Sequence, residues 1–491
     1  MNSFLSVLPP LLAIVLALRT KQVYISLVAA IWLGWLILND WNLMAGTVAT
    51  LEGFVDVFKD AGNTRTIMFC SLVGALLIFI QYSGGVQGFI NRIELRMNKW
   101  AKRGGGRDRM LIEIMALLTG ILLFVDTSIS SLTVGTLYRP LFDRLKIPRE
   151  KLAYIADSSS APSSILLPFN AWGAFITGLI LAQGVERPFQ TMFSAMVFNY
   201  YPILTILGVL IVVLGRKDIG PMAKAERRVR EQGLLMNEGA QPMVSDELIS
   251  HEMKEGVKPR AMNMLIPLGV MIGMMIVGLA ATGWSKVEAP ASFLDHLSRA
   301  HRYGSGSAAV LYAVTSSLFV AMVLYRAQGI MKLSKMVNLT LKGISELMPL
   351  ALLMMLAFSI SAVCKELGTG VWLAGVTEGW LSPELLPAVI FALTALIAFS
   401  TGTSWGTFAI MVAIALPMAQ VHEANLFLVV AAVMGGGVFG DHCSPISDTT
   451  IISSMASASD HIDHVRTQLP YALIAGGITF ILYLILGMLL H

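Results

Sequence analysis

The stretch Gly435–Ser454 limits the possible folds most, because it places strongly polar groups between two long apolar runs. It reads GGGVFGDHCSPISDTTIISS and contains carboxylates, a histidine, a proline and several hydroxyls. Inside a membrane, unsatisfied backbone groups and ionised side chains are costly, and they are tolerated only within protein or beside water. We therefore predict that this stretch is a broken helix lining a polar cavity in a membrane protein.

The rest of the chain is apolar enough to surround such a cavity with membrane helices. Of its 491 residues, 55% are hydrophobic and only 13% are charged. A helix needs roughly 20 apolar residues to cross the hydrocarbon layer. Long apolar windows recur at Phe4–Leu18, Val23–Leu38, Thr66–Gln81, Thr191–Leu214, Met262–Ala281, Ala308–Tyr325, Leu347–Val363 and Pro470–Leu490. The sequence predicts an all-α polytopic membrane protein rather than a β-barrel, whose strands would alternate apolar and polar residues.

Several other classes of protein find no support in the sequence. The first apolar window has no preceding basic residues and no small-residue cleavage site, so we expect a retained helix. Three cysteines are too few for a disulfide framework, and no CxxC or HExxH metal motif occurs. There is no phosphate-binding loop of the ATPase type, and the basic residues fall in loops between apolar windows. We expect no cofactor, no nucleic-acid partner and no enzymatic activity.

The positions of the basic residues predict how the first half crosses the membrane, because Lys and Arg favour the cytoplasmic side. Residues 1–214 are expected to hold a first span and one structural unit. Within this unit, residues 110–142 have basic flanks on both sides and indicate a re-entrant hairpin, with Asp126 near its tip. Residues 151–183 then indicate a transmembrane helix that is broken over Asp157–Gly173.

The second half is predicted to repeat this plan. It follows a charged cytoplasmic linker over residues 215–261. Residues 262–491 are expected to hold a linking span and a second unit, with a hairpin over 383–418 and a broken helix over 425–455. The external loops between spans are predicted to be Asp40–Arg65 and Thr282–Ser307, which have little apolar sequence.

Similar motifs in the two halves predict an internal repeat. FVDTSISSLTVGTLYRP at Phe124–Pro140 resembles FSTGTSWGTFAIMVAIALP at Phe399–Pro417, and DSSSAP at Asp157–Pro162 resembles DHCSP at Asp441–Pro445. An odd number of full crossings in each unit would place the two halves in opposite orientations. Inverted repeats are common in secondary transporters, whose sites lie near the middle of the membrane where discontinuous helices meet.

The motif alignment makes specific residues equivalent. It pairs Asp157 with Asp441 and Asp126 with Thr401. If both broken helices meet at one site, Asp157 and Asp441 should lie close together near the middle of the membrane.

A broken helix offers a defined chemistry at its cut ends. Free carbonyls, together with Ser and Thr hydroxyls and a carboxylate, suit a small cation such as Na⁺. Free N–H groups suit an anionic group of a substrate. A carboxylate in such a cavity can also carry a proton. The simplest coupling device is therefore an aspartate that holds either H⁺ or Na⁺, but never both.

The candidate residues of this site lie in the four polar breaks. The carboxylates Asp157, Asp441 and Asp448 are the predicted Na⁺ ligands. The full set of predicted ion- or substrate-binding residues is Asp126, Thr127, Ser128, Asp157, Ser158, Ser159, Asn170, Thr401, Thr403, Ser404, Asp441, His442, Ser444, Asp448 and Thr449. Each also has a structural interpretation, because Asp, Ser, Thr and Asn cap helices and His packs in cores. Trp172 and Trp405 could shape a pocket for an organic substrate or could simply pack.

The motifs FVDTS, DSSSAPSSILLPFNAWG, FSTGTSWGTF and GDHCSPISDTT together resemble the NhaC-type Na⁺/H⁺ antiporter family, within the broader ion transporter superfamily. The resemblance covers nearly all of the membrane part. It implies a sodium-coupled secondary antiporter with two inverted repeats and paired re-entrant hairpins. It also implies a dimerising scaffold domain and a transport domain that moves like an elevator. Relatives exchange Na⁺ for H⁺ or couple ions to organic acids or amino acids.

These observations lead to one expected function and several rivals. We expect a Na⁺/H⁺ antiporter of the cell inner membrane, in contact with membrane lipid and assembled as a homodimer. The alternative on the same fold is a Na⁺-coupled transporter of an organic acid or amino acid. A channel is disfavoured because paired breaks and inverted symmetry indicate alternating access. An intramembrane hydrolase would need a Ser–His–Asp arrangement, for which only His442 beside Asp441 speaks.

Overall fold

The computed structural model describes residues 4–20, 22–92, 108–124, 126–242, 256–288, 292–369, 372, 375–376 and 381–490. Over these residues the chain is helical, apart from turns and one isolated antiparallel bridge between Pro242 and Asp460. Seven of the described helices are long and apolar enough to cross a membrane, and two bent helix pairs bring the number to as many as nine. The all-helical, multi-pass architecture predicted from the sequence is confirmed.

The first four helices arise from the amino-terminal apolar windows and the segment between them. They are α1 (Leu8–Thr20, after a 3-10 turn at Phe4–Val7), α2 (Val23–Leu38), α3 (Leu43–Asp56) and α4 (Ala61–Tyr82). Helix α3 lies where an external loop was predicted. The side chain of Asn42 caps α3 and that of Asp60 caps α4, so each accepts a hydrogen bond from an otherwise free N–H.

The predicted hairpin 110–142 corresponds to α5 (Asp108–Leu122) and α6 (Thr127–Arg144). The predicted broken helix 151–183 corresponds to α7 (Arg149–Leu166) and α8 (Ala171–Ala182), which meet at an angle of 44°. The break therefore spans residues 167–170, which corrects the longer break predicted over Asp157–Gly173.

Helix α7 continues through the polar sequence DSSSAP because its hydroxyls bond within the helix. Ser160 Oγ donates to the carbonyl of Asp157 at 3.0 Å, and Ser163 Oγ donates to that of Ser160 at the same distance. These bonds keep the polar groups paired around Pro162, which lies inside the helix. Asp157 is consequently a residue of a continuous helix and not of a break.

The predicted span Thr191–Leu214 is not one straight helix. It consists of α9 (Pro188–Ala195), a 3-10 turn (Met196–Phe198) and α10 (Tyr200–Gly215), with a bend of 41° at Asn199. Helix α11 (Gly220–Gln232) follows in the charged linker. Linker residues 243–255 lie outside the described part of the chain.

The second half begins with four helices. These are α12 (Met262–Gly283), α13 (Phe293–Tyr303), α14 (Gly306–Ala327) and α15 (Leu333–Leu367). Helix α13 was not foreseen, because it occupies the predicted external loop Thr282–Ser307. Ser292 caps it by accepting a hydrogen bond from the N–H of Asp295.

Five helices complete the chain. They are α16 (Leu386–Thr401), α17 (Ser404–Val421), α18 (Leu426–Cys443), α19 (Asp448–Ser457) and α20 (His461–Leu489). Helices α16 and α17 occupy the predicted hairpin 383–418. Helices α18 and α19 occupy the predicted broken helix 425–455, with the break at residues 444–447.

Small residues allow the closest helix contacts. A Cβ atom added at Gly74 of α4 would lie 2.2 Å from the carbonyl oxygen of Gly343 of α15. A Cβ at Gly440 of α18 would lie 2.1 Å from the carbonyl oxygen of Ala395 of α16. Such close backbone approach is typical of helix packing in membranes. The second contact holds hairpin α16–α17 against the broken helix α18–α19.

The helix boundaries reveal a constant spacing between the two halves. Helices α17, α18 and α19 begin 277 residues after α6, α7 and α8 respectively (404, 426 and 448 against 127, 149 and 171). Helices α6 and α17 have the same length, as do α7 and α18. The internal repeat is thus visible in the order and length of the helices, and it fixes which residues are equivalent.

Candidate functional site

A cavity of about 450 Å³ lies where the tips of the two hairpins meet the two broken helices. Its wall on this side is formed by the hairpin tips and by the first residues after each break. The opposite wall is formed by α2, α4 and α15. The residues that carry its polar chemistry are Tyr24, Asp126, Thr127, Ser128, Glu346, Thr401, Thr403 and Asp448.

The amino-terminal ends of four helices line this cavity. They are those of α6, α8, α17 and α19, represented by Thr127, Ala171, Trp405 and Asp448. The N-terminus of a helix carries free N–H groups and a partial positive charge. Four such ends on one cavity make a favourable environment for an anionic group.

Three carboxylates also line the cavity and offset part of this positive potential. Asp126 caps α6 by accepting a hydrogen bond from the N–H of Ile129 at 2.8 Å. Asp448 is the first residue of α19 and is exposed. Glu346 of α15 was missed in the sequence, although an acidic residue directly before the apolar window Leu347–Val363 was a usable signal.

Asp157 lies deeper, in a fully buried cluster of polar groups. Its Oδ2 atom accepts hydrogen bonds from Gln468 Nε2 at 2.7 Å and from Thr450 Oγ1 at 3.1 Å. His442 Nε2 lies 3.9 Å from the same oxygen and 3.2 Å from Ser158 Oγ. Asp157 therefore joins α7, α18, α19 and α20 at one point.

Asp441 is buried one residue before His442. Its Oδ2 atom accepts a hydrogen bond from Ser404 Oγ, at the start of α17. Because Asp157 contacts His442, the two aspartates approach each other as the sequence predicted. The Oδ1 atoms of Asp157 and Asp441 are both buried and have no hydrogen-bond partner among the described residues. A buried unpaired carboxylate oxygen is costly, so each is suited to a proton or a cation.

The predicted site residues therefore fall into two groups. Asp126, Thr127, Ser128, Thr401, Thr403 and Asp448 line the cavity. Asp157, Ser158, Ser404, Asp441 and His442 belong to the buried cluster behind it.

Other predicted residues bond mainly to the protein itself. Asn170 donates to the carbonyls of Phe124 and Ser164, each at 2.8 Å, and so ties the first hairpin to the break in α7–α8. Ser159 Oγ donates to the carbonyl of Ala156 at 3.2 Å.

The hydroxyls of the second half behave similarly. Ser444 Oγ donates to the carbonyl of Phe399 at 2.7 Å, and Thr449 Oγ1 pairs with Ser447 Oγ at 3.0 Å. These bonds hold the break between α18 and α19 against hairpin α16–α17. Their role as ion ligands stays a prediction.

The spacing of 277 residues corrects the motif alignment. Asp126 and Thr403 are the residues that precede α6 and α17, with φ, ψ of −148°, 131° and −148°, 126°. Thr403, and not Thr401, is therefore the counterpart of Asp126. The motif alignment was shifted because the connection between α16 and α17 is shorter than that between α5 and α6.

The same spacing separates the two buried aspartates. Asp157 corresponds to Met434, and Asp441 corresponds to Ser164. The predicted equivalence of Asp157 and Asp441 was thus wrong, because α7 continues through DSSSAP while α18 ends directly after Asp441 and His442. The two carboxylates reach one cluster from different levels of their helices.

No group of three or more His, Cys, Asp or Glu side chains converges on a possible metal position within the described residues. The predicted Na⁺ ligands Asp157, Asp441 and Asp448 therefore do not form one all-carboxylate site. Any Na⁺ coordination here would need hydroxyl and carbonyl oxygens beside a single carboxylate or two, which is a ligand set that suits this ion.

Aromatic side chains from both halves pack at the edge of the cavity. The ring centroids of Trp172 and Trp405 are 4.8 Å apart, and Phe175 packs edge-on to Trp405 at 5.0 Å. Both tryptophans line the cavity while contacting each other. They therefore serve packing and cavity shape at once, the two roles considered from the sequence.

Sequence reasoning missed three residues that hold the buried cluster together. Gln468 bonds both Asp157 Oδ2 and the carbonyl of His442. Thr450 bonds Asp157, and Tyr201 OH lies 2.7 Å from His442 Nδ1. Gln468 is a polar residue on the last spanning helix, just before the predicted window Pro470–Leu490, which is the signal that could have found it.

The fold and the site define a multi-pass secondary transporter. Its fold is similar to the YdaH transporter of Alcanivorax borkumensis, with a TM-score of 0.56 and 15% identity, covering 90% of this chain and 88% of that one. The Na⁺/H⁺ antiporter family matches residues 171–488. The chain belongs to the Na⁺/H⁺ antiporter family, as the motif resemblance implied.

Two curated relatives place the chain within this family. An uncharacterised protein of Haemophilus influenzae is 32% identical over 497 residues, which cover 99% of this chain and 91% of the relative. A Malate-2H(+)/Na(+)-lactate antiporter of Bacillus subtilis is 36% identical over 126 residues, which cover 24% of this chain and 27% of that protein.

Proposed function

We propose that the protein exchanges Na⁺ for H⁺ across the cell inner membrane by alternating access. The observation that carries this proposal is the pair of buried aspartates, Asp157 and Asp441, each with one unpartnered carboxylate oxygen. No Lys or Arg contacts either carboxylate among the described residues. An isolated buried carboxylate must take up a proton or a cation.

The surroundings of the two aspartates support this exchange. Hydroxyls of Ser404 and Thr450 and backbone carbonyls at the break provide the neutral oxygen ligands that Na⁺ needs beside a carboxylate. Because H⁺ and Na⁺ use the same oxygens, binding of one displaces the other. The adjacent cavity, with Asp126 and Asp448 on its wall, provides the route by which the ions arrive.

The test is a transport assay in liposomes. Purified protein is reconstituted with an internal pH dye, and Na⁺ is added under an imposed pH gradient. We expect Na⁺-dependent proton movement in the parent and its loss in Asp157→Asn and Asp441→Asn. A Ser164→Ala variant, at the position equivalent to Asp441, should keep it. Absence of Na⁺-dependent proton movement in the parent would sink the proposal.

A second candidate function is Na⁺-coupled transport of a small organic acid or amino acid. It is favoured by the four helix N-termini on a cavity of about 450 Å³, which exceeds the space that a single ion needs. The N–H groups would bind the carboxylate of the substrate, and Glu346 or Asp448 would bind an amino group. The name of the Bacillus subtilis relative, a malate and lactate antiporter, is compatible with this candidate.

Counterflow distinguishes the two candidates. Liposomes are loaded with an unlabelled amino acid or hydroxy acid, and uptake of the labelled compound is measured with and without Na⁺. Uptake that needs Na⁺ and is lost in Glu346→Gln favours the organic substrate. Proton movement with no organic uptake across a panel of such compounds favours simple Na⁺/H⁺ exchange.

The proposal also includes the architecture implied by the family resemblance. The two halves would be inverted in the membrane, and the hairpins and broken helices would move as a transport domain against α2, α4, α12, α14 and α15. The scaffold would form a homodimer. Light scattering of the purified protein measures the mass, and cysteine cross-links between α15 and α17 under opposite ion gradients report the movement.

A further inference from the structure

A chain of hydrogen bonds joins Asp157 to a half-buried histidine at the start of α20. Gln468 Oε1 lies 2.9 Å from His464 Nε2, and His464 Nδ1 lies 2.8 Å from Ser454 Oγ. The same Ser454 Oγ lies 3.0 Å from His461 Nδ1. Two imidazoles therefore share one serine hydroxyl, and the exchange mechanism proposed above uses neither of them.

The orientation of Gln468 fixes the protonation of His464. Its amide nitrogen bonds Asp157 Oδ2 and the carbonyl oxygen of His442, which are both acceptors. The amide oxygen must therefore be the atom that faces His464 Nε2. An oxygen that can only accept requires a donor, so His464 Nε2 carries a hydrogen.

The other imidazole is constrained in the same way. His461 Nε2 lies 2.6 Å from the carbonyl oxygen of Pro445, at the break between α18 and α19. A carbonyl oxygen can only accept, so His461 Nε2 also carries a hydrogen. If both imidazoles are neutral, both Nδ1 atoms are then acceptors, and both face Ser454 Oγ.

Ser454 has one hydrogen and cannot satisfy both acceptors. Its hydroxyl can donate to one Nδ1 atom or to the carbonyl of Thr450, which lies 2.8 Å away. At least one imidazole nitrogen thus faces an oxygen without a hydrogen between them. One added proton removes this conflict: an Nδ1–H of one histidine donates to Ser454 Oγ, and the Ser454 hydroxyl donates to the other histidine.

We propose that His461, Ser454 and His464 form a proton-binding site, which holds one proton shared between the two imidazoles. The inference rests on the proposed exchange function and adds a second proton site to it. The proton moves when His461 Nδ1–H passes its hydrogen to Ser454 Oγ while the Ser454 hydrogen passes to His464 Nδ1. No other atom changes its bonds in this step.

The position of the site links it to solvent on one side and to Asp157 on the other. His461 is half-buried, whereas His464 and Gln468 are buried. Protons therefore enter at His461 and reach the interior through Ser454. Gln468 alone separates His464 from Asp157, so a proton on the imidazole pair and a cation at Asp157 repel each other at short range. Each then favours release of the other, as antiport requires.

Other charged and titratable groups around the site set its background. Helix α20 packs against α7, α10, α11, α16, α18 and α19. Helix α16 has no titratable side chain, and the α11 side chains Glu226 and Arg228 pair with residues of α5 and α7. The groups nearest the site on the other elements are Arg149, Asp157, Tyr201, Asp441, His442, Asp448, Asp460 and Asp463.

The test measures protons released when Na⁺ binds. The full chain is purified in detergent with a pH dye in weak buffer, and NaCl is added against a choline chloride control. We expect the parent to release protons, and we expect His464→Asn and Ser454→Ala to lose most of that release. Binding of radiolabelled Na⁺ should persist in both variants. His296→Asn, a histidine stacked on Trp284 far along the chain, should release as the parent does.

The outcomes separate this inference from the proposed function. Unchanged release in Ser454→Ala and His464→Asn, with loss in Asp157→Asn, would overturn the histidine site and leave exchange at the aspartates intact. No release from the parent would overturn the exchange function and the histidine site with it. Ser454→Ala removes only a hydroxyl, so it tests the site even if His464→Asn fails to fold.

Discussion

The two hairpin tips share a backbone but not a chemistry. The residues that precede α6 and α17, Asp126 and Thr403, have nearly the same φ and ψ. Asp126 caps its helix with its carboxylate, whereas the side chain of Thr403 makes no capping bond. The repeat therefore supplies the geometry of the cavity, and the charges are distributed independently of the repeat.

The broken helices differ in the same way. Asp157 lies within α7 at the level of Met434 in α18, and Asp441 lies near the end of α18 at the level of Ser164 in α7. Each half thus contributes one buried carboxylate from a position where the other half is uncharged. Two identical sites would repel each other, so this asymmetry gathers both carboxylates at one cluster and leaves the rest of the repeat neutral.

The largest expected effect tests this asymmetry directly. Asp157→Asn should weaken Na⁺-dependent proton movement by roughly a hundredfold, because a lost charged hydrogen-bond partner costs about 3 kcal/mol. Met434→Leu, at the equivalent position in the other half, should retain nearly all activity. The liposome assay with a pH dye measures both. Equal losses in the two variants would mean that the repeat, and not the charge, determines the activity.

The second effect concerns the hairpin connections. Gly402 has φ of +67°, and a Cβ atom there would lie 2.7 Å from the carbonyl oxygen of Ile446. Gly402→Ala should therefore lower stability by about 2 kcal/mol. Gly208→Ala is the matched control, because nothing lies within 4 Å of its Cβ position and α10 is helical there. Thermal unfolding in detergent compares them, and equal melting temperatures would contradict the expected strain.

The third effect separates capping from charge at the hairpin tips. Asp126→Ala should lose about 1 kcal/mol of stability, because it removes a side-chain cap, whereas Asp126→Asn keeps a capping oxygen. Thr403→Ala should cost less than Asp126→Ala, because Thr403 makes no capping bond. Transport by Asp126→Asn then reports the charge alone. A large loss of stability in Thr403→Ala would show that the two tips are supported alike.

The smallest effect lies outside the membrane, at the start of α20. Burial alone would raise the pKa of Asp460, but backbone N–H groups of Gln241, Asp463 and Ile462 outweigh it and hold that pKa below its usual value of 3.8. The ionised form is thus the stabilised one, so its contribution is complete above pH 3.8 and is lost as the pH falls through the lower folded value.

The linker contact should therefore weaken only in acid. Hydrogen exchange at the Gln241 amide, which bonds Asp460 Oδ2 at 3.0 Å, is compared at each pH with that of Asp460→Asn. We expect greater protection in the parent near neutral pH and convergence of the two proteins at the lowest pH. A parent advantage that grows with acidity would contradict the assigned sign.

Much of the architecture follows from apolar length and polar interruptions. The hairpins, the broken helices and the charged linker helix all correspond to segments read from the sequence. Helices α3 and α13 were missed because they lie between apolar windows, where capping residues such as Asn42 and Ser292 decide the structure. Local capping signals are weak beside hydropathy in a chain this apolar.

The site was predicted better by residue type than by register. Asp157 and His442 do meet, yet the alignment that paired DSSSAP with DHCSP was displaced. Ser and Pro in a polar run favour a break, but in α7 the serines bond to the helix backbone and Pro162 is accommodated. Gln468 could not be foreseen from motifs, because its role depends on a contact across 311 residues.

The contact between Trp172 and Trp405 also has an optical consequence. One indole follows the break in α7–α8, and the other begins the second arm of hairpin α16–α17, with 4.8 Å between their centroids. Indoles this close couple their electronic transitions, so the near-ultraviolet circular dichroism should carry an exciton signal from this pair. Any transport step that parts the hairpin from the broken helix would extinguish that signal, giving unlabelled protein its own reporter of conformation.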